Sequence, residues 1–277
     1  LHTIVVRPAA VFPSLCVLSE MSTVHSSRGQ ASFRLTAKDL YNNTAVSFAS
    51  WDKVLTIIAS SAGGSPVAVS QVPLGGGVLQ VNYQPIVVGQ YSVIVTVNNM
   101  TVDQGGFTSF SVSAGPLAAQ QSTVSSETNC SAASPCTVGT TVRLNVLSFD
   151  ADGNARSVGS NDDFRISVEF LAGKRSLSLP LVTYLGGNRY SASFDTSSFG
   201  DFEAGQYSVK VRSGSELLPS TLEMKFVAGP ADAGKCTASG AGVSVAVQLV
   251  PATFTVTVRD MYGNERTGNL DTVAFLS

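Results

Sequence analysis

Charge is what this sequence has least of. Asp, Glu, Lys and Arg make up 13% of its 277 residues, about half the ~25% of an ordinary soluble domain. The formal net charge is −2 and no basic run or stripe occurs, which argues against nucleic acid and anionic membrane surfaces as partners. Long apolar runs are missing as well: no stretch approaches the ~18–20 residues of a membrane-crossing helix. The start, Leu1 to Val6, is short for a secretory leader and has no basic lead. Histidine is nearly absent. Only His2 and His25 could serve as imidazole bases, and there is no Gly-x-Ser-x-Gly elbow, no His-Glu-x-x-His and no phosphate loop. His25 with Cys16 as base and nucleophile would need a third residue to orient the pair, and none can be named. The sequence therefore predicts a non-enzyme, with no catalytic residue, metal site or cofactor.

What is abundant is Gly, Ser, Thr and Val, the composition of short strands joined by tight turns. The stretch Gly205-Gln-Tyr-Ser-Val-Lys-Val-Arg-Ser213 repeats Gly89-Gln-Tyr-Ser-Val-Ile-Val-Thr-Val97, 116 residues earlier. Each copy precedes a strand that ends in Ala-Gly-Pro, at 114–116 and at 228–230. A strand unit recurring at this spacing marks a tandem array. Residues 1–7 then read as the last strand of a preceding repeat, with Arg7-Pro8 in the place of Gly115-Pro116. Residues 8–115 and 116–229 read as two complete repeats, and 230–277 as the first part of a third.

Within the first repeat, strands are expected near Leu15–Leu18 and at Ser32–Ala37, Val54–Ala59, Val67–Val72, Val78–Tyr83, Tyr91–Val97 and Phe107–Val112. Val54–Ala59 is a nearly continuous apolar run, whereas its neighbours alternate. The second repeat gives Val142–Phe149, Phe164–Leu171, Ser176–Val182, Tyr190–Asp195, Tyr207–Val211 and Leu222–Val227; the third opens with Phe254–Val258. About seven short strands per repeat with no helical period predict tandem β-sandwiches, two complete and a truncated third. In Arg189–Asp195, period two puts Tyr190, Ala192 and Phe194 on one face. The turns Asp39–Asn43, Asp150–Asn154 and Asp260–Asn264 follow the same strand each time.

These words together resemble the filamin-type immunoglobulin-like repeat. The resemblance rests on the opening Ala228-Gly-Pro-Ala-Asp-Ala-Gly-Lys-Cys-Thr-Ala-Ser-Gly-Ala-Gly242 and on the Asp-x-x-Gly-Asn turn at 260–264 and 150–154, with Asn for Gly at 39–43. It rests also on the closing Tyr83-Gln-Pro-Ile-Val-Val-Gly-Gln-Tyr91, with Phe194 to Tyr207 as a longer version. Nothing resembles the calponin-type domain that heads animal filamins, so actin binding is not implied. What the resemblance implies is a non-enzymatic adhesion, spacer or scaffold module whose protein partners add a strand beside strand C and fill a groove formed with strand D. Mapped onto the second repeat, that groove takes Phe164, Ile166, Val168, Phe170, Leu177 and Leu179; in the first it takes Val54–Ala59 with Val67–Val72. Repeats of this kind also stand in ectodomains of plant and green-algal gamete-attachment proteins, which the chain resembles in general character. An extracellular or cell-surface adhesion module is the first expectation. An intracellular cytoskeletal or ciliary scaffold is the alternative, and an accessory domain of an enzyme a third.

Cys130-Ser-Ala-Ala-Ser-Pro-Cys136 is spaced for a short-loop disulfide, the alternative being two reduced thiols in a cytoplasmic protein. The spacing does not suit a zinc knuckle. Cys16 and Cys236 fall in comparable places of their repeats and read as packed thiols. Sequons at Asn42, Asn99 and Asn129 are about as many as composition alone supplies, though Asn42 and Asn99 fall in expected loops. Asp150-x-Asp152-x-Asn154, with Asp162 and Asp163 downstream, looks like half a calcium loop. Asx hydrogen bonding explains all three turns without an ion.

Overall fold

The structure is a computed structural model that describes residues 7–46, 53–63, 65–102, 109–157, 164–170, 176–178, 182–199, 202–245 and 247–267. The strand expected at 1–7 lies, but for Arg7, outside them. The chain divides into two compact units, Leu1–Leu117 with Phe149–Ser157, and Ala118–Ser148 with Val158–Ser277.

The first unit contains β1 (Val17–Ser19), β2 (Val24–Ser26), β3 (Ala31–Thr36), β4 (Val54–Ser60), β5 (Val69–Gly75), β6 (Val78–Tyr83), β7 (Gly89–Val97), β8 (Met100–Thr101) and β9 (Ser109–Ser113). One sheet runs β1-β3-β6-β5; the other runs β2-β9-β7-β4, with β8 beside β7. Alternation decides which side chains enter the core. Phe33 and Leu35 of β3, Val81 and Tyr83 of β6, and Tyr91, Val93, Val95 and Val97 of β7 point inward, and they pack with Ile58, Phe110 and Val112. Each such burial is worth about 2 kcal/mol before conformational entropy is subtracted. The β5–β6 connection needs its glycines: Gly75, Gly76 and Gly77 have φ of 83°, 57° and 71°. A Cβ on Gly77 would lie 2.0 Å from the Ala45 carbonyl oxygen.

The second unit repeats the plan with β10 (Thr123–Ser126), β11 (Cys136–Thr137), β12 (Thr141–Leu147), β13 (Phe164–Phe170), β14 (Ser176–Ser178), β15 (Thr183–Gly186), β16 (Arg189–Asp195), β17 (Gly205–Ser213), β18 (Glu216–Leu217) and β19 (Leu222–Val227). Its sheets run β10-β12-β16-β15 and β11-β19-β17-β13-β14, with β18 beside β17. Tyr190, Ala192 and Phe194 share the buried face of β16, as period two requires. A hairpin of β20 (Thr237–Ser239) and β21 (Thr255–Thr257) follows.

Of the strand expected at 176–182, residues 176–178 form β14, which pairs with β13, and 179–181 lie outside the described residues. β15, from Thr183, pairs with β16 in the opposite sheet.

The repeated Gly-Gln-Tyr word proves to be the same joint twice. Tyr91 Oη donates to the Val87 carbonyl at 2.8 Å, and Tyr207 Oη to the Glu203 carbonyl at 2.7 Å. Both rings are buried, Tyr91 stacked on Phe110 and Tyr207 on Phe202. This is the tyrosine corner of immunoglobulin-like sandwiches.

Candidate functional site

The three Asp turns are built identically. Asp39 Oδ1 accepts the N–H groups of Tyr41 and Asn43 at 2.9 and 2.8 Å. Asp150 Oδ1 accepts those of Asp152 and Asn154, both at 2.9 Å. Asp260 Oδ1 accepts those of Tyr262 and Asn264 at 2.9 and 2.8 Å. The other carboxylate oxygen takes an N–H from the strand lead: Ala9 at 3.0 Å, Gly115 at 2.9 Å and Gly229 at 2.8 Å. This register sets Ala9, rather than Arg7, opposite Gly115 and Gly229, a shift of two residues from the alignment read in the sequence. All three carboxylates are buried. Burial alone would raise the Asp150 carboxyl, but bonds from Asn154, Gly115 and Asp152 outweigh it and hold the pKa at about 2. The same balance lowers Asp39 and Asp260.

Two of the turns also grip an extended stretch of main chain. In the first unit Asn154 Nδ2 donates to the Ile86 carbonyl at 2.8 Å while its Oδ1 accepts the Val88 N–H at 3.2 Å. In the second, Asn264 Nδ2 donates to the Phe202 carbonyl at 3.0 Å and its Oδ1 accepts the Ala204 N–H at 2.8 Å. Asp152 is the residue that suggested calcium. Its oxygens are taken by Arg28, with Nε at 2.8 Å and a terminal nitrogen at 2.6 Å, and by Ser27 Oγ at 3.0 Å. An ion pair thus occupies that carboxylate. Asp162 and Asp163 lie outside the described residues.

The sheet edges differ between the units. The groove residues expected on β13 do not form an outward pocket: Phe164, Ile166 and Val168 are 2%, 2% and 1% exposed, inside the sandwich core. Arg165, Ser167 and Glu169 alternate with them, so the outward side chains of β13 are polar. Backbone pairing with β14 at residues 167–169 covers the outer edge of β13 there. Phe170 packs on Tyr207 at a centroid distance of 4.9 Å. Leu179 lies outside the described residues, as does the side chain of Leu177. In the first unit β4 ends its sheet, pairing with β7 alone among the described strands. The Ile58 carbonyl faces the open side, where the Val67 N–H meets it at 2.8 Å. By the alternation of main-chain groups, Val54 and Thr56 face the same side. Leu55 and Ile57, 55% and 36% exposed, and Ile94 of β7 make the outer sheet face apolar. An open depression of about 920 Å³ lies beside β5 and β6, lined by Val67, Val69, Asn82, Tyr83, Ile86 and Tyr91 among others.

Cys130 and Cys136 are joined by a disulfide, S–S 2.09 Å. Around it the Cys130 carbonyl accepts the Lys225 N–H at 2.6 Å, and β11 runs parallel to β19. The bridge closes the short loop and fastens β11 to the sheet edge. Reduction is expected to lower the stability of this unit by about 2 kcal/mol, checked by thermal unfolding with and without a thiol reductant. In the first unit the matching strand β2 has no bridge. His25 holds it instead: Nε2 lies 3.1 Å from Tyr83 Oη and 3.0 Å from the Ser22 carbonyl, with the ring edge-on to Phe110. Burial keeps this imidazole below its usual pKa. Its hydrogen bonds and ring contact tie β2 to the core, and none of them is to Cys16, the thiol for which it was considered as a base. Cys16 and Cys236 each donate Sγ–H to the carbonyl four residues earlier, Phe12 at 3.6 Å and Asp232 at 3.2 Å. Ser122 Oγ does the same to Ala118 at 2.9 Å. Asn42, Asn99 and Asn129 are all exposed, the first two at φ of 64° and 65°. Among the described residues no cluster of His, Cys, Asp and Glu could hold a metal ion.

No known family profile matches this chain, and no curated protein matches it in sequence. Solved structures do resemble it. FdeC, an Escherichia coli adhesin, superposes with a TM-score of 0.54 at 19% identity, over 94% of this chain and 78% of that one. InvD of Yersinia pseudotuberculosis gives 0.45 at 15% identity over 92% and 73%. The Lin-41 filamin domain gives 0.33 at 18% identity over 38% and 97%. The FdeC likeness carries the fold. The chain is all-β and built of tandem immunoglobulin-like sandwiches, the fold that the sequence resemblance implied.

Proposed function

We propose that the chain is a non-enzymatic module of a surface protein, which spaces adhesive faces and binds protein partners by strand addition at an exposed edge. The observation that carries this reading is β4: an edge strand with outward main-chain groups and an apolar outer face at Leu55 and Ile57. A partner strand would gain main-chain hydrogen bonds along Val54 and Thr56, with alternate side chains seated on that face. The disulfide supports an oxidising compartment, hence an extracellular or cell-surface setting. The adhesin role of FdeC agrees with it.

The edge itself is the place to test. Val54→Pro removes an outward N–H at the first position of β4, where proline is tolerated, and obstructs an incoming strand. Attachment of the labelled chain to intact cells should weaken at least about fivefold with an unchanged melting curve. Undiminished attachment would remove β4 as the binding edge. Intact mass and thiol counting on protein from its native source test the compartment. Reduced Cys130 and Cys136, with no glycan mass on Asn42, Asn99 or Asn129, would favour the intracellular scaffold.

A further inference from the structure

The three Asp turns are alike in construction and unlike in what lies on them. Asn154 and Asn264 each bridge a carbonyl and the N–H two residues later on a loop ahead of a tyrosine-corner strand. Asn43 holds the same place in the first turn. Its side chain gives one N–H to Asp39 at 3.1 Å, and among the described residues no such main chain meets it. Asn154 and Asn264 are half-buried, whereas Asn43 is exposed. Leu40 and Tyr41 beside it are 57% and 76% exposed.

The residue two after each Asp also varies with the surface beneath it. Asp152 meets Arg28, which follows β2. Tyr262 lies over Gly139, at the matching place after β11, where a Cβ would stand 3.2 Å from the Tyr262 hydroxyl. Tyr41 is the third member of this set.

We propose that the Asp39–Asn43 turn is a docking site for one more immunoglobulin-like repeat of this kind, and that Tyr41 selects which repeat it accepts. The occupant presents a carbonyl and an N–H two residues apart on the loop matching Ile86–Val88 and Phe202–Ala204. At the position of Arg28 and Gly139 it carries glycine. The two occupied turns in the same chain supply the template for both requirements. Chemistry supplies the selection: a guanidinium left under a tyrosine loses its bidentate carboxylate and fills the space the ring needs.

The test extends the full chain by one repeat. A copy of residues 116–228, joined ahead of Ala9 in place of residues 1–8, offers the glycine surface. A copy of residues 8–114 at the same point offers the arginine surface. Amide hydrogen exchange is read at residues 40–44, with the core strands of each copy as the control for folding. The glycine copy should slow exchange there at least about tenfold, and Asn43→Ala should abolish the slowing. The arginine copy should have little effect until it carries Arg28→Gly, or until Tyr41→Asp is introduced in the chain. Unchanged exchange at 40–44 with the Arg28→Gly copy and with the glycine copy overturns the docking site. Equal slowing by both unaltered copies overturns the selection by Tyr41.

Discussion

Replacing Tyr207 by alanine should destabilise the second unit by ~3–5 kcal/mol, the range for truncating a buried aromatic ring. The ring is 4% exposed, stacks on Phe202 at 4.5 Å and meets Phe226 edge-on at 5.6 Å. Its hydroxyl closes the loop before β17 through the Glu203 carbonyl. Tyr91→Ala should cost the first unit a similar amount, because the same joint recurs there. Tyr207→Phe keeps the stacking and loses one hydrogen bond, so about 1 kcal/mol is expected. A chain of two units need not unfold in one step, so the readout is native-state hydrogen exchange of β17 and β19 for one variant and of β7 and β9 for the other. Exchange left unchanged by both alanine variants would sink the tyrosine corner as the organising joint.

Asp150→Ala should be nearly as severe, at about 3 kcal/mol or more. It leaves the Gly115 N–H buried, and those of Asp152 and Asn154 half-buried, without their acceptor; a buried group so orphaned costs ~1–3 kcal/mol and the half-buried ones less. The effect should appear as faster exchange at Gly115 and through 152–154. Acid should mimic it. The folded pKa of about 2 lies below the ordinary 3.8, so the unfolded chain binds the proton more readily. The stabilisation, about 2 kcal/mol, is complete above pH 3.8 and is lost as pH falls toward 2. In Asp150→Ala that part of the acid dependence should vanish. An acid-unfolding profile superposable on that of the parent chain would refute the role given to this carboxylate.

Much of this fold was legible because each repeat spells the same instructions. Alternation in Arg189–Asp195 gave the buried face of β16, and the Gly-Gln-Tyr word located both corners. The turns were legible as Asx turns, since Asp at the first position offers two acceptors to following N–H groups. Their second use was not: a contact between Asn154 and residues 86–88 joins positions 66–68 apart, and no local pattern records it. Strands β2 and β11 escaped notice for a similar reason. They are three and two residues long and pair in parallel with distant strands, so neither alternation nor a hairpin turn announces them. Ser122 shares its role with Cys16 and Cys236, yet a hydroxyl beside two thiols hid the likeness.

The groove assignment on β13 went astray by reading apolar residues as binding residues. In an alternating strand the apolar set belongs to the core, and Phe164, Ile166 and Val168 went there. The better signal was in Val54–Ala59, where the apolar run does not alternate. Thr56 and Ile58 turn inward, leaving Leu55 and Ile57 for the outer face.

The parallel pairing of β11 with β19 has a mechanical consequence. Tension drawn between residues 118 and 229 enters ahead of β11 and leaves after β19. Because these neighbours run the same way, the load slides one along the other, so their hydrogen bonds share it at once instead of parting one by one. The disulfide between Cys130 and Cys136 carries the strain past Ser131–Pro135, which cannot pay out length while the bond is intact. Pulling on the ends of that stretch should therefore meet a resistance that falls when the clasp is reduced.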